Sequence, residues 1–378
     1  MCPVRPSVAA SPAALPWWDM RAYDYTLPPE LIAQQPAAQR DASRLLLYQH
    51  ASGVIAHHVF RELPDLVRPD DVFVINDCRV IPARLYARRA DTGTEIELLL
   101  TECTGGAAWL ACVKPGRSCR PGVELLVAHT RATVRAQHPD GRRLVEFACT
   151  PAELHTLLDT HGIVPLPPYI KRPHTPSAAS DRSRYQTVYA AAGCAVAAPT
   201  AGLHFTPELL ERLRARGCAI LPITLNVGLG TFQPVKGDDA RTHEMHSELV
   251  AVSTGTADAL NAARAAGRRI IAVGTTALRA LESCYDAGVY KPGNASTCIF
   301  IHPPDRVRAA DLLLTNFHLP RSTLLMLVAA MIGPAWRTLY DEAVRLRYRF
   351  YSYGDAMLLD AHTSARICMI HRTLGRPL

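Results

Sequence analysis

The residues with chemical potential sit in a few polar loops, each following a short apolar run. PTAGLHF carries Pro199, Thr200, Gly202, His204 and Phe205, and GLGTFQP carries Gly228, Gly230, Thr231, Phe232 and Gln233. GTTALR supplies Gly274, Thr275, Thr276 and Arg279, and TNFHLPRS supplies Asn316, Phe317, His318 and Ser322. The corner NDCR, with Asn76, Asp77 and Arg79, is a fifth candidate. Glycines let backbone amides approach a ligand closely. Three of the loops run into helix N-termini, whose free amides and dipole favour a carboxylate or another anion. Such loops suit a small-molecule crevice with an anionic group at one end. The stretch THEMHSELV adds His243, His246 and Glu248, but its histidines are three apart and no helix is indicated, which excludes the H-E-x-x-H zinc protease pattern.

Loops converge only if strands hold them on one edge. Ala195 to Ala198 reads as a short strand ending at Pro199. Thr206-Pro207-Glu208 then starts a helix that Gly217 ends, and Leu221, Ile223, Leu225 and Val227 alternate as a second strand requires. A right-handed crossover makes two such strands parallel, so both loops should leave one sheet on one edge. Val72 to Ile75 reads as a buried strand, IIAV precedes Gly274, and LLLT precedes Asn316. GLGTF is not a dinucleotide fingerprint, because a third glycine is missing and Pro234 blocks a helix. P-loop and G-x-S-x-G patterns do not occur.

Composition bounds the reading. With 378 residues, 48% apolar and 20% charged, the chain can bury two cores. A net charge of +7 permits a polyanionic partner without pointing to one. The eleven cysteines are scattered without a C-x-x-C pair, which fits a reduced cytosolic protein and no zinc ribbon. The proline-broken start lacks a secretory core, so residues 1–20 are expected to be a disordered extension and 361–378 a tail.

From 79 to 150 the texture changes to short strands (IELLL, AWLACV, VELLVA, LVEFAC) separated by turn dipeptides, as in a small antiparallel barrel. Residues 21–78 and 151–360 then form one discontinuous Rossmann-like, three-layer α/β domain into which the barrel is inserted. Thr150-Pro151-Ala152-Glu153 is a capping box opening a helix. The proline-rich VPLPPYIKRPHTPSAASDRS that follows carries Tyr169, Lys171 and Arg172, and the first barrel strand carries Arg84. Stacking and charge neutralisation on a nucleic acid are the functional reading of these residues.

The blocks RDASRLLLY, INDCRVIPARL, LPPYIKR, DRSRYQTVYA, AAPTAGLHFTPELLERLRARG, LNVGLGTFQPV, HEMHSE, AVGTTALRALES, LLTNFHLPRSTLLMLV and YSYGDAMLL closely resemble, in the same order from about Tyr23 to Leu359, the S-adenosylmethionine:tRNA ribosyltransferase-isomerases of queuosine biosynthesis. That resemblance implies an α/β domain with an inserted β-barrel. It also implies transfer and isomerisation of the ribosyl unit of S-adenosylmethionine, a co-substrate, onto 7-aminomethyl-7-deazaguanine at the wobble position of tRNA, giving epoxyqueuosine, adenine and methionine. Neither a resident cofactor nor a metal is implied, and a cytoplasmic monomer without membrane contact is expected.

The reaction needs a base near the carbon that the sulfonium acidifies. The candidates are His204 and His246 first, then His243, Glu248 and His318. Asp77, Glu248 or a histidine would assist the departing adenine. The methionine carboxylate would meet the helix after Gly274-Thr275-Thr276, or Arg279, with Arg321 beside Ser322 as an alternative. Adenine would stack on Phe205, Phe232 or Phe317. Asn226 stands where the family usually has histidine, so that position should be structural or substrate-contacting. A methyltransferase and a non-catalytic RNA-binding protein on the same frame are the rival readings.

Overall fold

The computed structural model describes residues 15–172, 179–228, 235 and 237–361. Nine strands form the main sheet. In chain order they are β1 (Arg44–Gln49), β2 (Val54–Val59), β3 (Val72–Asn76), β4 (Ala219–Leu225), β5 (Glu248–Val252), β6 (Ile270–Val273), β7 (Gly293–Thr297), β8 (Leu312–Asn316) and β9 (Ala356–Asp360). Their order across the sheet is β7-β5-β4-β3-β6-β8-β9-β1-β2. The central four, β4-β3-β6-β8, are mutually parallel, so their C-terminal ends lie on one edge.

Side chains alternate across this sheet. Val72 and Val74 enter one core with Leu260, Leu278 and Leu325 from helices, while Phe73 and Ile75 enter the other with Leu209, Leu210 and Leu213. Helices thus cover both faces, and the near-continuous apolar reading of β3 and β6 follows from burial on both sides. The most apolar helix, Thr323–Ile332, is almost wholly buried and bends by 116° into the next. Among the described residues no single helix is long and apolar enough to cross a membrane.

The insertion is a closed six-stranded antiparallel barrel with strands from Arg84 to Phe147. Leu85, Ile96, Leu98, Leu100, Val134 and Val145 fill its interior. Its extent differs from the expected 79–150. Helix Pro151–His161 packs Leu154, Leu157 and Leu158 into the barrel core, and Arg84 exchanges backbone hydrogen bonds with Ile163 where the chain enters and leaves. The helix was expected in the α/β domain because its capping box looks the same wherever its apolar face is buried; the box itself forms, Thr150 accepting from the Glu153 amide.

Two further expectations are corrected. The strand near Ala195 spans Ala192–Ala195 and pairs with Cys78–Val80 in a separate two-stranded sheet, so the PTAGLHF loop does not leave the main sheet. The end of the supposed disordered extension is docked: the Trp17 ring stacks on His302 at 4.0 Å, Arg241 lies 4.6 Å over Trp18, and Asp19 caps a turn at Met20–Tyr23. Residues 1–14 and 362–378 lie outside the described residues.

Candidate active site

The parallel strand ends open into a cleft of about 770 Å³, counted out to bulk solvent. Gly274, Thr275 and Thr276 follow β6; Thr315, Asn316, Phe317 and His318 end and follow β8; Val227 follows β4. Thr200 and Ala201, in a 3-10 turn at Thr200–His204, form another wall with Ala197 and Ala198. Ser322, Thr323 and Leu324 begin the apolar helix, and Tyr169, Tyr351 and Ser352 close the rim. None of these side chains is Asp, Glu, Lys or Arg.

Two helix N-termini reach this space. Ser322 caps one, its Oγ accepting from the Leu325 amide at 3.2 Å. The other, at Thr275, has Gly274 as its N-cap and no side chain capping it. Gly274 has φ +92 and donates its amide to the Leu314 carbonyl at 2.7 Å, a conformation that suits glycine. First-turn amides without an internal partner are therefore presented to the cleft, ready for an anion.

Of the proposed bases, His318 alone lines the cleft. Its Nε2 is 3.0 Å from Thr315 Oγ1, and burial pushes its pKa down to about 3, so the ring is neutral near pH 7. His204 sits behind the cleft wall, with Nδ1 2.8 Å from Ser43 Oγ and Nε2 3.1 Å from Asn316 Nδ2. Burial lowers its pKa to about 4. With both nitrogens occupied, it is not placed as a base; it supports Asn316. His243 is half-buried against Phe300 and His246 is exposed, and neither lines the cleft.

The acids are engaged elsewhere. Glu248 pairs with Arg279 and accepts the Gly228 amide at 3.2 Å, both side chains buried. Asp77 accepts from Thr224 Oγ1 at 2.6 Å. Arg279 therefore serves Glu248 and the Ile299 carbonyl and does not line the cleft. Asn76 uses its amide to bond Leu225 N and O and the Cys78 amide, extending the β3-β4 ladder past its last backbone pair. Arg79 is exposed outside the cleft.

Phe205 is fully buried against Phe60 and Tyr189, and Phe317, although at the cleft, packs with Tyr340, Tyr348 and Phe350. Pro199 caps the 3-10 turn, and Gly202 within it is held tight: a Cβ there would meet Tyr189 Oη at 2.0 Å. Gly230, Thr231, Phe232 and Gln233 lie outside the described residues. At the cleft rim stand Tyr169, half-buried, and Tyr351, buried, with ring centroids 4.5 Å apart and planes tilted by 48°, and with Tyr169 Oη 2.6 Å from Ser352 Oγ. Tyr351 and Ser352 were missed, although both lie in the block YSYGDAMLL. Tyr351 has φ +72, uncommon for a bulky residue and a mark of functional positions.

The basic residues divide. Lys171 is exposed. Arg172 is not free for phosphate, because it grips the buried Asp181 carboxylate through Nε at 2.8 Å and Nη2 at 3.0 Å. Arg84 pairs with Glu97 at 3.1 Å. Among the described residues no group of three or more His, Cys, Asp or Glu is arranged to hold a metal ion.

The family model described as "Queuosine biosynthesis protein" matches residues 20–359. A Moorella thermoacetica protein named S-adenosylmethionine:tRNA ribosyltransferase-isomerase is 49% identical over 341 residues, 89% of this chain and 98% of that protein. A Thermus thermophilus protein of the same name is 50% identical over 353 residues, 90% and 99% of the two chains. The crystal structure of S-adenosylmethionine tRNA ribosyltransferase from Thermotoga maritima is 37% identical, with a TM-score of 0.51 over 89% of this chain and 99% of that one.

Proposed function

Because the chain belongs to the queuosine biosynthesis protein family, we propose that it works as an S-adenosylmethionine:tRNA ribosyltransferase-isomerase whose reaction takes place in the cleft at the strand ends. The observation that carries this reading is that the family match, residues 20–359, spans every segment that lines the cleft. The acceptor is 7-aminomethyl-7-deazaguanine at the wobble position of tRNA. The products are epoxyqueuosine, adenine and methionine, made by a monomer in the cytoplasm.

The sulfonium of S-adenosylmethionine acidifies the ribose carbon beside it. His318, the one candidate base on the described cleft lining, is the proton acceptor for that carbon; loss of the proton sets up departure of adenine with the glycosidic electron pair. Adenine takes up a proton as it leaves, the amine nitrogen of the tRNA base gives one up as it bonds to a ribosyl carbon, and a ribosyl oxygen closes the epoxide on the carbon that the sulfur vacates, the sulfur leaving with the pair of its old bond as neutral methionine. Amides at the uncapped helix start hold the methionine carboxylate, and the Tyr169-Tyr351 pair offers adenine a flat apolar neighbour. Among the described residues the cleft lining has no Asp, Glu, Lys or Arg side chain, so it neither repels the cation nor traps it.

The test is to incubate the protein with S-adenosylmethionine and tRNA bearing the aminomethyl base, then follow the small products. Free adenine with methionine supports the reading. S-adenosylhomocysteine would make it a methyltransferase, and tRNA binding with neither product would make it an RNA-binding module.

A further inference from the structure

A chain of hydrogen bonds behind the cleft has only one possible direction. The Asp355 carbonyl can only accept, and it lies 3.4 Å from the Asn316 amide nitrogen, which fixes that end of the carboxamide as Nδ2. The same nitrogen donates to His204 Nε2 at 3.1 Å, so the imidazole proton resides on Nδ1. Nδ1 donates to Ser43 Oγ at 2.8 Å, and Ser43 passes its own proton to the Arg40 carbonyl at 3.2 Å. Every donor is spent inward.

What remains of Asn316 is Oδ1, buried and without a hydrogen-bond partner, on a residue that lines the cleft. An orphan acceptor of this kind costs stability unless a ligand supplies a donor. Its position selects which donor. Asn316 ends β8, and Gly274 follows β6, the adjacent parallel strand, with the Gly274 amide bonded to the Leu314 carbonyl. Neighbouring strands run about 4.8 Å apart. An α-amino acid carries its carboxylate and ammonium on a single carbon, so one head group can span the two strand ends, carboxylate on the free amides at Thr275 and ammonium at Asn316.

We propose that Asn316 Oδ1 receives the α-ammonium of the methionyl group, and that His204, held by Ser43, is a positioning residue that keeps the carboxamide from turning over. The inference rests on the ribosyl-transfer reading and assigns the amino-acid end of that substrate. It replaces a base by a locked tautomer: His204 contributes by never changing its protonation state during turnover.

The experiment compares S-adenosylmethionine with two sulfonium analogues, one lacking the α-amino group and one with hydrogen in place of the adenine 6-amino group. Adenine or purine release by wild-type protein is measured first, and no release from S-adenosylmethionine itself would defeat the functional reading and not this one. Given activity, loss of the α-amine should cost wild-type protein between about ten- and a hundredfold in kcat/KM, the worth of one charge-assisted hydrogen bond. In Asn316→Ala that penalty should shrink to within about twofold, while the 6-amino penalty stays as in wild type. If Asn316→Ala does not fold, Ser43→Ala, remote from the ligand, should reduce the same penalty in part and raise KM for S-adenosylmethionine more than it lowers kcat. Full retention of the α-amine penalty in the folded variant overturns the proposal. So does a collapse of the 6-amino penalty alone, which would assign Oδ1 to the adenine.

Discussion

Glu248 and Arg279 form an ion pair that is closed off from solvent behind the cleft, and the second carboxylate oxygen of Glu248 holds the Gly228 amide at 3.2 Å. Glu248→Ala would strand a guanidinium in the interior and release the backbone beside Val227, which lines the cleft. A loss of about 3–5 kcal/mol is expected, read as a lower denaturant midpoint. Glu248→Gln should lose less, because it can still accept a hydrogen bond. An unshifted midpoint in the alanine variant would show that Arg279 is satisfied without Glu248.

The turn at Thr200–His204 depends on one missing methyl group. A Cβ on Gly202 would come within 2.0 Å of Tyr189 Oη and 2.8 Å of Thr187 Cγ2. Gly202→Ala should destabilise the protein by about 1–3 kcal/mol through overpacking. Tyr189→Phe in the same chain removes the oxygen, which has no hydrogen-bond partner, and should recover part of that loss. Denaturant melts of the single and double variants check the coupling; strictly additive losses would contradict it.

Acid should weaken the fold through two imidazoles. Burial lowers the pKa of His204 to about 4 and that of His318 to about 3, against about 6.5 in an unfolded chain. Above pH 6.5 both states are neutral at these sites and nothing is lost. Below it the unfolded chain binds protons that the folded one refuses, so stability falls as pH drops from about 6.5 towards 3. Thermal midpoints should decline over that range with about two protons taken up on unfolding from these groups. His204→Gln should remove about one of them, and a proton count that did not change would exclude His204.

Adjacent basic residues should behave differently with tRNA. Lys171→Ala is expected to lower the salt slope of binding by about one if that exposed ammonium meets a phosphate. Arg172→Ala should leave the slope as it is and cost about 1.5–3 kcal/mol of stability, because Asp181 loses both of its guanidinium hydrogen bonds. A change of slope in Arg172→Ala with an intact denaturant midpoint would reverse the assignment.

Turning His318 to Asn should depress adenine release strongly while S-adenosylmethionine still binds, since the cleft volume and the helix starts persist. Single-turnover rates against equilibrium binding separate the two effects. A rate within about threefold of wild type would leave the proton transfer to another group.

The loops at Gly274 and Asn316 were legible because each follows an apolar run and precedes a capped or glycine-started helix, signals that act over a few residues. The barrel was legible from its turns for the same reason. What sequence could not give was which side of a strand end a polar residue faces: Asn76 and Asn316 both end buried strands, yet the first is consumed by backbone at Leu225 and the second keeps an oxygen for the cleft. Nor could it show that Ser43 and Asn316, 161 and 112 residues away, arrive on the two nitrogens of His204. The pairing of Arg172 with Asp181 was hidden likewise, the two being separated by a proline-rich stretch that gives no pairing signal.

Among the described residues, the hairpin β1-β2 pairs with the rest of the main sheet only through β9, which slips between β8 and β1. During synthesis the barrel, with its local pairings, can close early, whereas residues 44–59 must wait until Ala356–Asp360 has left the ribosome. A nascent chain stopped short of that point would expose two open strand edges and lack the support beside Asn316. Assembly of the cleft is thereby tied to the emergence of Ala356–Asp360, and copies that stop before it would be marked for aggregation or proteolysis before they could bind a nucleoside.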